Sequence, residues 1–80
     1  MWVNDELRQE GNTSDMVVGI AGLIESVSSV FRLRSGDILI TGTPAGVGAK
    51  MDPPRFLQAG DRIRMAITGL GETGNVIVDA

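Results

Sequence analysis

LRSGDILITG at residues 33–42 and LQAGDRIRMAITG at residues 57–69 share one plan, Leu-x-x-Gly-Asp followed by a β-rich run that ends in Thr-Gly. Gly-Asp turns the chain, and the residues after it suit a strand. In the second copy Ile63, Met65 and Ile67 alternate with Arg62, Arg64, Ala66 and Thr68. That alternation predicts a strand with one apolar and one polar face. In the first copy Ile38, Leu39 and Ile40 are continuous, which predicts a more deeply buried strand. Two copies are too few for a solenoid, so they are two strands entering a sheet through similar turns.

Working outward, Trp2-Val3, Asn4-Asp5 and Leu7 predict a strand, a tight turn and a returning strand. Asn and Asp suit such a turn because both tolerate left-handed backbone. RQEGNTSD at 8–15 is a polar loop, followed by the short apolar stretch Met16-Val17-Val18. Ile20, Leu23, Ile24, Val27, Val30 and Phe31 then fall on one face of a helix expected over about 20–32. Pro53-Pro54 places 50–56 in an extended surface loop, and Val76, Ile77 and Val78 predict a last strand over 75–79. The expected order is strand, strand, helix, strand, strand, strand. This is a mainly β fold with one helix (α+β), a single domain over 1–80, the helix laid on the sheet.

Composition narrows the chemistry. With 80 residues the chain buries only roughly 60–65% of its unfolded surface, so its core is thin. It has no Cys and no His, which excludes disulfides, thiolate or imidazole metal ligands, and Cys or His catalysis within these residues. A net charge of −3 argues against nucleic acid or an anionic membrane as partner. No apolar run approaches 18 residues, and MWVNDELRQEGN lacks the pattern of a secretory signal. The expected location is therefore cytoplasmic, and the sequon NTS at 12–14 is expected to go unused.

Several motifs fail on context. GLGETG at 69–74 is a literal G-x-G-x-x-G, but NVIVDA after it is β-branched rather than helical, so a hairpin turn is expected there and not a dinucleotide site. GTPAGVGAKM at 42–51 departs from a P-loop, since Ala49 separates Gly48 from Lys50 and Met51 replaces the hydroxyl. Asp5 with Glu6, and Glu10 with Asp15, lie in polar segments and predict solvated surface.

What remains is DILITGTPAGVG at 37–48, a run of small residues and hydroxyls at the end of a strand. Taken with RQ-x-GNTSDM at 8–16 and PPRFL-x-x-GD at 53–61, it resembles the C-terminal part of the fumarylacetoacetate hydrolase family. The likeness is strongest to bacterial acylpyruvate hydrolases and to 2-hydroxyhepta-2,4-diene-1,7-dioate isomerase/5-carboxymethyl-2-oxo-hex-3-ene-1,7-dioate decarboxylases. It covers almost the whole chain and implies that residues 1–80 are a single partial domain, the C-terminal portion of a catalytic domain with a mixed β-sandwich/roll fold.

The resemblance implies a metal-dependent enzyme of aromatic-compound catabolism. Mg²⁺ or Mn²⁺, held by carboxylates, would chelate a 2-oxo or β-diketo acid and stabilise the developing enolate. It also implies that the metal ligands and catalytic groups lie outside these residues, leaving no catalytic and no metal residue here and no activity for the chain alone. The positions carried over are Thr43, as the substrate-carboxylate contact, and Gly42. Gly42 and Gly46 would let main chain come close to a ligand, with Pro44 fixing the backbone after the threonine. Two departures stand out. Gly19-Ile20-Ala21-Gly22 replaces a Ser-x-Pro-Glu helix start, which predicts a weak cap, and Thr73-Gly74-Asn75 replaces Leu-Arg-Asn, which predicts a looser last hairpin. The competing reading is a non-catalytic β module serving assembly or protein interaction. Unpaired sheet edges predict a homo-oligomer, a dimer in the simplest case.

Overall fold

A computed structural model describes residues 1–80 as two compact units, Met1–Glu10 with Pro44–Ala80, and Gly11–Thr43. The first unit holds all the strands: β1 (Trp2–Val3), β2 (Glu6–Leu7), β3 (Arg62–Ile67) and β4 (Gly71–Val76). They form one antiparallel sheet in the order β2-β1-β3-β4. β1 pairs with β2 through Trp2↔Leu7 and with β3 through Trp2↔Arg64 and Val3↔Ile63. Val3, 3% exposed, is the buried core. Arg64 lies across the Trp2 ring, its guanidinium carbon 3.8 Å from the ring centre, and also pairs with Glu72 at 3.3 Å.

The turn between β1 and β2 holds this sheet together. Asn4 and Asp5 have φ of 49° and 66°, as their types allow. In that conformation Asn4 presents three groups to the start of β3. Its N–H donates to the Arg62 carbonyl (2.9 Å), its Oδ1 accepts from the Arg62 N–H (2.9 Å), and its Nδ2 donates to Asp61 Oδ1 (2.8 Å). Asp61 Oδ2 accepts in turn from the Gln58 N–H at 2.9 Å. The Asp61 carbonyl accepts from the Ile77 N–H at 2.8 Å, extending the β3–β4 pairing past the end of β4.

The two Leu-x-x-Gly-Asp copies adopt the same turn. Asp37 N–H donates to Arg34 O and Asp61 N–H to Gln58 O, both at 3.1 Å. Each Asp carboxylate accepts from the N–H three residues back, at 2.7 Å from Arg34 and 2.9 Å from Gln58. Gly36 and Gly60 have φ of 93° and 91°, a conformation in which a side chain is strained, so both copies require glycine.

Beyond the turn the copies diverge. The second becomes β3, in the interior of the sheet. The first forms no strand: Ile38 and Ile40 are 88% and 89% exposed, which corrects the expectation of a deeply buried strand. A strand exists only when a neighbour accepts its ladder bonds, and no segment of these 80 residues pairs with 37–41. The expected apolar face of β3 is likewise uncovered, with Met65 and Ile67 both exposed. The last strand is shifted from the expected 75–79 to Gly71–Val76, because register follows from β3 through Arg62↔Val76 to Ile67↔Gly71. GLGETG is thus divided, Gly69 in the hairpin turn and Gly71 to Gly74 in β4. The hairpin is fully laddered despite Thr73-Gly74.

The second unit contains one 3₁₀ turn, Thr13–Asp15, and α1, Ile20–Ser28. Asn12 Oδ1 caps the 3₁₀ turn by accepting from the Ser14 N–H at 2.9 Å. Gly19 is the N-cap of α1 and supplies no side-chain bond, as the missing Ser-x-Pro-Glu start predicts. The helix ends four residues before the expected boundary at 32. Ser28 and Ser29 hydroxyls donate back to Glu25 O (3.1 Å) and Ser26 O (2.6 Å), and the Val30 N–H bonds three residues back, to Val27 O at 3.1 Å. Such local bonds compete with helix continuation. No helix here is long and apolar enough to cross a membrane.

Asn4→Ala removes two side-chain bonds and strains a left-handed position, which should cost about 1–3 kcal/mol. Asn4→Gly should cost less because it relieves the strain. Thermal unfolding followed by circular dichroism distinguishes the two. Acid should act through Asp61 and Glu6. The Gln58 N–H, then the Asn4 amide, hold Asp61 below the ordinary carboxylate range, and the Arg55 hydrogen bond does the same for Glu6. Folded-state values below the unfolded ones mean stability that is present above about pH 4 and lost as pH falls through the folded values. Melting temperatures measured from pH 7 to pH 3 should fall most below about pH 4, and Asp61→Asn should reduce that slope.

Candidate substrate loop

The TGTPAGVG run crosses the boundary of the two units. Thr41, Gly42 and Thr43 close the second unit, and Pro44 opens the loop of the first. Gly42 has φ of 94°, and a Cβ built there meets no atom within 4 Å. The Cβ side of Gly42 is therefore open.

The loop from Pro44 onward is fastened to residues 6–9 of the same unit. Gln9 Nε2 donates to the Pro44 carbonyl at 2.8 Å. At Gly46 a Cβ would collide with the Arg8 carbonyl, and φ is 105°, so only glycine fits. This revises the expectation that Gly46 makes room for a ligand: its space is taken by the chain's own main chain. A 3₁₀ turn over Gly48–Lys50 follows, with Lys50 N–H donating to Val47 O at 2.9 Å and Met51 N–H to Gly48 O at 3.2 Å. The Arg55 N–H also reaches Gly48 O, at 2.9 Å, closing the segment on itself.

Charge reinforces this attachment. Arg55 forms a two-pronged bond to Glu6, Nη1 to Oε1 at 2.8 Å and Nη2 to Oε2 at 3.1 Å, and the same contact raises the Arg55 pKa. Arg8 Nε lies 3.2 Å from Glu6 Oε1, in ion-pair range but without the alignment of a hydrogen bond. The Arg8 side chain, 11% exposed, reaches Met51 Sδ from Nη1 at 3.8 Å. The pairs are solvent-accessible at Glu6 and Arg55, so each adds little to stability and serves mainly orientation.

Gly42 and Thr43 are therefore adjacent to a fastened loop, while Gly46 belongs to its fastening. Arg8 and Gln9, which no chemical motif singled out, prove to be the loop's anchors. The signal was present in the joint occurrence of RQ-x-GNTSDM and TGTPAGVG, but the contact between them needs the fold. No three Asp or Glu side chains gather as a metal site, so these residues do not fit a metal centre of their own. A shallow, open groove lies on the β3–β4 face, where Arg62 pairs with Asp5 (3.5 Å) and Arg64 with Glu72 (3.3 Å).

Comparison with known proteins places the chain in a family. The fumarylacetoacetate (FAA) hydrolase C-terminal family model matches residues 1–78. An uncharacterized protein of Staphylococcus saprophyticus is 52% identical over 77 residues, 96% of this chain and 26% of its own length. One from Staphylococcus aureus strain USA300 is 54% identical over 69 residues, 86% of this chain and 23% of its own. Among solved structures, a Mycobacterium abscessus protein described as a probable 2-hydroxyhepta-2,4-diene-1,7-dioate isomerase superposes with a TM-score of 0.90 at 46% identity, over 98% of this chain and 29% of that one. A Mycobacterium smegmatis protein assigned to HpcE gives 0.91 at 40% identity, over 96% and 28%. The chain spans about a quarter of the length of the curated relatives it matches. On the match of residues 1–78, it belongs to the fumarylacetoacetate hydrolase family and corresponds to that family's C-terminal part.

Proposed function

We propose that this chain forms the C-terminal part of a metal-dependent hydrolase, isomerase or decarboxylase acting on acylpyruvates or on β-diketo or enol dicarboxylic acids, and that it supplies the loop that binds a substrate carboxylate. The observation that carries the reading is Gly42, left-handed and open on its Cβ side, next to Thr43 and just before a fastened loop. The likeness to a probable dienedioate isomerase supports the substrate class. Thr43 donates its hydroxyl to the carboxylate. The divalent ion, Mg²⁺ or Mn²⁺, polarises the 2-oxo group when bound, and its ligands come from outside residues 1–80.

Thr43→Val in the full-length enzyme keeps the shape and removes the hydroxyl. Losing a charge-assisted hydrogen bond of about 1.5–3 kcal/mol should lower kcat/KM by roughly 10- to 150-fold. Folding should change little. Thr41→Val, the control, should have the smaller kinetic effect. If Thr43→Val stays within about twofold of wild type, the threonine is not the carboxylate contact.

The open Ile38–Ile40 segment leads to a second expectation for the 80 residues expressed alone. An unpaired apolar edge favours self-association. Sedimentation should show a dimer or larger species with no Mg²⁺-dependent acylpyruvate turnover. A sharp monomer that unfolds cooperatively, or turnover by this chain, would contradict it.

A further inference from the structure

We infer that Gln9 is a positioning residue for the Thr43 loop. The inference rests on the reading of Thr43 as the substrate contact. Pro44 directly follows Thr43, and its carbonyl accepts from Gln9 Nε2 at 2.8 Å. Proline has a fixed φ, so the orientation of its carbonyl peptide relative to the bond from Thr43 varies through Pro44 ψ alone. The bond from Gln9 sets that orientation.

Gln9 is itself held from behind. Its N–H and that of Arg8 both donate to Met1 O, at 3.3 and 3.0 Å, beside the first strand of the sheet. The Arg8 carbonyl fills the space that a side chain at Gly46 would need. The anchor thus has a side-chain part at Pro44 and a main-chain part at Gly46, two residues apart. The main-chain part survives any substitution at position 9. Removing the Gln9 amide therefore frees the Thr43 end of the loop without detaching the loop from the sheet.

The test uses the full-length enzyme with Gln9→Met, which keeps the side-chain length and removes the donor. Loss of one neutral hydrogen bond should reduce kcat/KM about 3- to 10-fold, chiefly through KM. Amide hydrogen exchange across residues 45–51 should accelerate while β3 and β4 keep their protection, and the melting temperature should stay close to wild type. In a Thr43→Val background Gln9→Met should add little further loss, since it acts through Thr43. Gln9→Glu, which offers no donor at neutral pH, provides the same readouts if Gln9→Met fails to fold. Unchanged exchange across 45–51, or a full loss of kcat/KM that persists in the Thr43→Val background, overturns the inference. If the wild-type enzyme turns over no acylpyruvate or enol dicarboxylate, the proposed function fails by itself. The exchange measurement then still decides whether Gln9 anchors the loop.

Discussion

Asn4 is the residue on which the first unit turns. It sits in left-handed backbone, and from there reaches both polar groups of the Arg62 backbone and the Asp61 carboxylate. Through Asp61 the same network includes Gln58 and Ile77. The N-terminal hairpin, the Gly-Asp turn and the β3–β4 ladder thus meet at one side chain. Burial does little of this work. Val3 is the one buried apolar residue, and a fully buried valine contributes only about 1.5–3 kcal/mol. Directional bonds rather than a packed interior determine which strands are neighbours. This explains how the two-residue strands β1 and β2 persist in the sheet.

Features encoded by a few adjacent residues were legible in the sequence. Asn4-Asp5 specified its own turn, Gly36-Asp37 and Gly60-Asp61 specified theirs, and the alternation from Arg62 to Ile67 specified β3. The weak helix start followed from Gly19. What was not legible depended on partners distant in sequence. Ile38-Leu39-Ile40 has the composition of a buried strand, yet composition records only that the segment suits a sheet, not that a neighbour is present. The position of β4 is not legible locally, because Val76, Ile77 and Val78 are the most strand-like residues there, whereas pairing to β3 places Gly71 to Val76 in the ladder. The helix end is masked in the sequence, because Val30 and Phe31 continue the apolar period while the hydroxyls of Ser28 and Ser29 bond back to the preceding turn.

The loop shows the same division between local and distant causes. Its glycines looked alike in the sequence, and only the fold separates them. Gly46 is required by the Arg8 carbonyl, while Gly42 faces open space. Glu6, between Arg8 and Arg55, joins the segment before the loop to the segment after it. A loop held in this way has a fixed main chain along one side.

Trp2, the sole tryptophan, has a further consequence. It lies on β1, pairs with Arg64 across the β1–β3 junction and carries that guanidinium on its ring face. Its fluorescence therefore comes from a single position, the junction between the N-terminal hairpin and the strand that enters 60 residues later. Since Gly11–Thr43 contains no tryptophan or tyrosine, an optical signal from Trp2 reports closure of the sheet without a contribution from the helix. The chain carries its own probe for the pairing of its N-terminal hairpin with β3.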